Sequence, residues 1–148
     1  MHVAIRPLDL TDRVAWEPLW QAYQRFYQVE IPQGTTDATW ARFHDPAEPV
    51  HAFSAFDADG RMVGIVHAIL HRSTWLPDWS CYLQDLYVDE SQRGQRTGEA
   101  LIDAVADFAR ENKAGRLYWL TQESNITARR LYDRIAQASG FVQYRKQL

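Results

Sequence analysis

The stretch Tyr82-Leu83-Gln84-Asp85-Leu86-Tyr87-Val88-Asp89-Glu90-Ser91-Gln92-Arg93-Gly94-Gln95-Arg96-Thr97-Gly98-Glu99-Ala100-Leu101 decides the fold. Together with Ser80 and Cys81, its first part is aromatic and branched, and residues 80–88 read as a strand. Its last part opens a helix over 97–112, with Leu101, Val105 and Phe108 at i, i+4 and i+7. Two glycines in the connecting loop let the backbone turn tightly and approach a ligand closely. The N–H groups at the start of a helix favour an anion, and Arg93 and Arg96 add positive charge, so the expected occupant is a phosphate or pyrophosphate. Composition alone fits an ordinary strand-to-helix loop with solvated arginines equally well. Neither GxxxxGK[ST] nor GxGxxG is present.

The rest of the chain extends this unit. Arg116 to Thr121 (RLYWLT) reads as the next strand, so residues 80–121 form a strand–helix–strand crossover with parallel strands. Asn125 to Ser139 reads as a helix with Ala128, Leu131, Tyr132 and Ile135 on one face, and Phe141 to Lys146 as a last strand. Upstream, Asp57-Ala58-Asp59-Gly60 marks a turn between strands at 51–56 and 61–73. Residues 3–7 read as a short strand. A helix follows from Thr11 or Asp12 to about Val29, with Val14, Leu19, Tyr23, Phe26 and Tyr27 at roughly helical spacing and Pro18 bending or delaying its start. Thr36 or Asp37 is placed to cap a second helix ending near Phe43. The order describes a single α+β domain over 1–148.

Composition narrows the function. The 148 residues carry 16 Lys+Arg against 19 Asp+Glu, a net charge of −3, which argues against general nucleic-acid binding. The longest apolar run, Val63 to Leu70, is broken by His67 and is too short to span a bilayer. A single cysteine, Cys81, forms no internal disulfide, and a reducing, cytoplasmic setting is expected. His67 and His71 lie four apart in a strand pattern without HExxH, so no metal site is expected.

Two blocks resemble the GNAT N-acetyltransferases. The strand–loop–helix of 82–102 is similar to the family's central motif, in which a strand ends in Arg-Gly-x-Gly-x-Gly or Gln/Arg-x-x-Gly-x-Gly/Ala. The second block, Asn125-Ile126-Thr127-Ala128-Arg129-Arg130-Leu131-Tyr132 followed by Gly140-Phe141, is similar to Asn-x-x-Ala-x-x-Leu-Tyr…Gly-Phe. The segment Tyr-Leu-x-Asp-Leu-Tyr-Val looks most like the polyamine acetyltransferases and the yeast histone and D-amino-acid acetyltransferase group. The resemblance spans essentially the whole chain. It implies the GNAT fold: a mixed, mostly antiparallel twisted sheet with helices on both faces and splayed central parallel strands.

It also implies a reaction, attack of a primary amine on the thioester of acetyl-CoA. By resemblance, Leu86, Tyr87 and Val88 offer backbone groups to pantetheine and the acetyl carbonyl, and Arg93, Gly94, Gln95, Arg96, Thr97 and Gly98 hold the pyrophosphate. Asn125 bonds the pantetheine arm, Arg134 meets the 3′-phosphate, and Tyr132 protonates the leaving sulfur. Other readings stay open: Tyr132 as a core residue, Asn125 as a helix N-cap, Arg134 as a solvated arginine. Two departures stand out. Arg96 occupies the middle glycine of the loop, which requires the loop to shift slightly or Arg96 to contact phosphate itself. Gln84 stands where related enzymes carry a Glu base. Candidate bases are Asp85, which alternation sends to the face opposite Gln84, and Glu123, with a water chain as a third route. Tyr27, Glu30, Trp79 and Gln84 are candidates to line the acceptor pocket, since carboxylates and aromatic faces suit a cationic amine. The expected acceptor is a small amine, with a protein amine second. The rival function is a non-catalytic acyl-CoA-binding domain. The long link from Leu131-Tyr132 to Gly140-Phe141 predicts a last helix about a turn longer than usual, and the apolar final strand predicts a homodimer.

Overall fold

β2 (Val50–Phe56) and β3 (Met62–Arg72) form the hairpin expected around Asp57–Gly60. The Asp57 carboxylate closes the turn, accepting the backbone N–H groups of Asp59 and Arg61 at 3.0 and 2.9 Å. β1 (Ala4–Pro7) pairs with β2 and β4 (Trp79–Val88) with β3, all antiparallel. β5 (Ala114–Tyr118) joins β4 in parallel, after a crossover through α3 (Thr97–Glu111), and the order is β1-β2-β3-β4-β5. The computed structural model describes residues 2–92 and 94–148, so Arg93 of the expected anion loop lies outside the described residues.

Helices cover both faces of the sheet. α3 buries Leu101, Ile102, Val105 and Ala109 against Val63, Val66, Ala68, Cys81 and Leu83. α4 (Ile126–Ile135) leans on the same core through Leu131, Tyr132 and Ile135, the face read from spacing. α1 (Arg13–Phe26) and α2 (Gln33–Phe43) cover the opposite face, where Trp16, Trp20 and Trp40 pack over Ile65. Trp16 stacks on Trp20 at 5.9 Å and meets Trp40 at 5.0 Å.

Several expectations are corrected. The buried face of α1 runs through Trp16, Leu19, Trp20 and Gln24, while Val14 and Phe26 are exposed. α2 begins at Gln33, and Thr36 is no cap: buried, it accepts the Trp20 Nε1–H at 3.2 Å. β5 is shorter than read and ends at Tyr118. α4 stops at Ile135, with Ala136 already extended (φ −149°, ψ −173°), so the last helix is not lengthened. The final strand does not form. Residues 137–148 carry no regular element, with Phe141 79% and Tyr144 92% exposed. A strand needs a neighbour to take its N–H and C=O groups, and β-propensity supplies none.

Candidate active site

A bulge in β4 shapes one side of the site. Ala68 pairs with Leu83 and His67 with Asp85, which leaves Gln84 as the extra residue. Alternation breaks there: Leu83 and Leu86 both enter the α3-side core, while Asp85 faces α1 beside His67. This corrects the simple alternation expected for Gln84 and Asp85. Gln84 is exposed and Asp85 only 8% exposed. The Asp85 carboxylate takes a hydrogen bond from buried His67 at 2.9 Å, and Tyr23, Tyr27 and Tyr82 surround it. Burial first, and the Asp85 charge second, raise the pKa of all three phenols. All three therefore stay protonated hydrogen-bond donors at neutral pH.

The other side lies where β4 and β5 part. Their pairing covers only Trp79–Tyr82 against Ala114–Tyr118. From Leu83 to Val88, β4 therefore presents unpaired main-chain groups to the opening, while its other edge stays bonded to β3. Beyond Val88 the chain is pinned: Asp89 N–H donates to the Val63 carbonyl at 2.9 Å, and Arg61 reaches Asp89 and Ser91 at 3.2 and 2.9 Å. Gly94 holds φ +81° with open space around it, and Arg96 holds φ 61°, ψ 20°, the left-handed region. Among the described residues, α3 then opens with no side-chain cap and the buried Thr97 hydroxyl has no partner. Free N–H groups, an orphaned hydroxyl and a clear approach over Gly94 fit a diphosphate.

α4 closes the opening. Asn125 occupies its N-cap position, but its side chain makes no cap; it donates to Thr121 Oγ1 at 3.2 Å and meets the Tyr27 hydroxyl. Tyr132 packs edge-on to Trp119 at 5.4 Å, and burial, then Tyr27, raises its phenol to about 12. Tyr27 thus joins the Asp85 cluster to the α4 residues.

The family model described as the Acetyltransferase (GNAT) family matches residues 16–136. The chain belongs to the GNAT family. A D-amino-acid N-acetyltransferase, HPA3 of Saccharomyces cerevisiae, is 32% identical over 98% of this chain and 91% of its own length. Among solved structures, a ribosomal-protein-alanine N-acetyltransferase from Brucella melitensis biovar Abortus is 26% identical, covering 99% of this chain and 100% of its own, at TM-score 0.77. AAC(6')-Iy in complex with the bisubstrate analogue CoA-S-monomethyl-acetylneamine shares the fold at TM-score 0.84 and 19% identity, with both chains fully covered. This GNAT chain is an N-acetyltransferase by family and by relatives.

Within this GNAT fold the structure brings together Asp85, Tyr27, Asn125 and Tyr132 around the end of β4, and Leu86, Tyr87 and Val88 run along its split edge toward the loop of Gly94, Gln95, Arg96, Thr97 and Gly98. Other candidates stand apart. Trp79 opens β4, six residues from Asp85 or roughly 20 Å at strand rise, with the Arg72 guanidinium stacked 3.8 Å over its ring. Glu30 borders an open groove between α1 and α2. Glu123 is exposed, and its carbonyl accepts the Arg129 guanidinium at 2.9 Å. Arg134 pairs with Glu99 at 2.8 Å across the mouth between α4 and α3. The spacing of motifs missed Trp16, Tyr23 and His67. A signal existed for His67: a polar residue interrupting the apolar run of 63–70 must find a buried partner.

Proposed function

We propose that the chain transfers the acetyl group of acetyl-CoA to the primary amine of a small cationic molecule, a polyamine, amino acid or amine metabolite. The observation that carries this reading is Asp85: a nearly buried carboxylate among phenols, on the side of β4 facing α1, at the point where β4 leaves β5. A carboxylate ringed by aromatic hydroxyls favours an ammonium group. The relative named a D-amino-acid N-acetyltransferase supports an acceptor of this size.

The coenzyme supplies an activated acetyl thioester. Main-chain groups of Leu86 to Val88, the uncapped start of α3 with Gly94 and Thr97, and Asn125 are the residues to hold it. An alkylamine has a pKa near ~10.4 and must lose a proton before attack. Asp85 binds the ammonium and takes that proton. The N–C bond forms as the C–S bond breaks. Tyr132 faces the departing sulfur. A thiolate, whose thiol titrates at about 8.5, does not take a proton outright from a phenol at about 12, so Tyr132 acts as hydrogen-bond donor to the charge that gathers on the departing sulfur, and the thiolate collects its proton after it leaves. We further assign residues 137–148 to pairing with a second copy, and the reaction to a reducing cytoplasm, where the single buried Cys81 stays a thiol.

Release of free thiol from acetyl-CoA across polyamines, D- and L-amino acids, aminoglycosides and histone peptides tests the proposal. Turnover confined to small amines supports it. Turnover on peptides alone favours a protein amine, and coenzyme binding without turnover on any amine favours a binding domain.

A further inference from the structure

A hydrogen-bond chain is buried under α1. Trp16 Nε1 lies 3.1 Å from His67 Nε2, and His67 Nδ1 lies 2.9 Å from Asp85 Oδ2. Trp16 and His67 are 0% and 3% exposed. An indole N–H only donates, so His67 Nε2 must accept, and the ring's one proton therefore sits on Nδ1 and donates to Asp85. The tautomer is set by a residue that never titrates. Trp16 and Trp20 pack around the imidazole at 5.9 and 5.1 Å, and Phe43 from α2 at 4.8 Å. With both nitrogens engaged, His67 has no lone pair left to take a proton from an amine. It is not a base.

We propose that His67 is a positioning residue: fixed by Trp16 in the Nδ1–H tautomer, it holds the Asp85 carboxylate toward the acceptor amine. This rests on the reading of Asp85 as the amine's partner. The bulge at Gln84 makes the arrangement possible, because it turns Asp85 onto the face that His67 occupies. His67 engages Oδ2, and Tyr23 hydrogen-bonds the same carboxylate. The titratable groups facing Asp85 are His67 from β3, Tyr23 and Tyr27 from α1, and Tyr82 from its own strand. Among them His67 is the one held on its far side by a second buried donor.

The test uses full-length protein with His67→Leu, His67→Asn, Asp85→Asn and the double variant His67→Leu/Asp85→Asn. Asn keeps a donor near Nδ1; Leu keeps only bulk. His67→Leu is expected to raise the KM of the amine on the order of tenfold or more, the usual loss for a hydrogen bond to a charged group, with the KM of acetyl-CoA unchanged. His67→Asn restores most of the loss. The double variant is no worse than Asp85→Asn alone, because the histidine acts through the carboxylate. Nitrogen-15 NMR of the ring, assigned against His67→Asn, shows Nδ1 protonated and Nε2 not. Additive losses, failure of Asn to rescue, equal damage to both KM values, or an Nε2–H ring each overturn the proposal. The NMR readout needs no activity: a wild type inactive on every amine removes the acceptor reading, while the tautomer lock is judged by the spectrum.

Discussion

Arg96 keeps φ 61° and ψ 20° where the GNAT pattern carries glycine. The arginine bears a left-handed backbone conformation, at a cost of about 1 kcal/mol. Arg96→Gly is therefore expected to raise stability by roughly 0.5–1 kcal/mol in urea unfolding, while Arg96→Ala, which keeps a Cβ, does not. Equal effects of the two would remove the strain. Cys81 is fully buried, and burial pushes its thiol up to about 11. At pH 7.5 it should resist iodoacetamide in the native protein and react once unfolded; prompt native labelling contradicts this. Residue identities in the two blocks were readable because each motif is local. The partnership of Trp16, His67 and Asp85 joins α1, β3 and β4, and no local spacing announces it.

At the scale of elements, β3 and α3 are in close contact at Gly64, where an added Cβ would stand 2.9 Å from Leu101 Cδ1 and 3.4 Å from the Tyr87 carbonyl. Gly64→Ala should cost about 1–3 kcal/mol by overpacking, read as a lowered urea midpoint. α4 carries Tyr132. Tyr132→Phe should lower kcat about 100-fold or more with little change in the KM of acetyl-CoA. Its phenol also has a stability signature. Folded, it titrates at about 12; unfolded, near the ordinary value of about 10. The folded form retains a proton that the unfolded chain has released, so stability falls as pH rises from about 10 to about 12, and Tyr132→Phe should make that decline shallower. An unchanged decline would mean that the phenol is not held by the fold. The faces of α3 and α4 and the hairpin were legible because periodicity and the Asp57–Gly60 turn are local signals, while the face of α1 was misread at Val14 and Phe26. The bulge at Gln84 was not legible, since it exists only in the register of two strands.

For the whole molecule, the sheet ends at β5, whose outer edge is unpaired among the described residues, while Phe141, Val142, Tyr144 and Leu148 lie exposed nearby in sequence to α4. Open edges and exposed apolar chain attract pairing. Light scattering should give a dimer for the full chain and a monomer after removal of residues 137–148; a monomeric full chain contradicts the assignment. The strand expected over 141–146 is absent from the structure, because propensity and apolar pattern say nothing about which strand would take its N–H and C=O groups. Among the described residues no helix is long and apolar enough to cross a membrane, and no His, Cys, Asp and Glu gather to hold a metal. The central claim is that the opening between β4, α3 and α4 holds the coenzyme. Gly98 sits at that junction, 3.9 Å in Cβ reach of Val88 and 4.0 Å of Leu131. Calorimetric titration with acetyl-CoA should show one site per chain in the wild type and none in Gly98→Trp that is still folded by circular dichroism; equal binding by both proteins would place the coenzyme elsewhere and contradict the account.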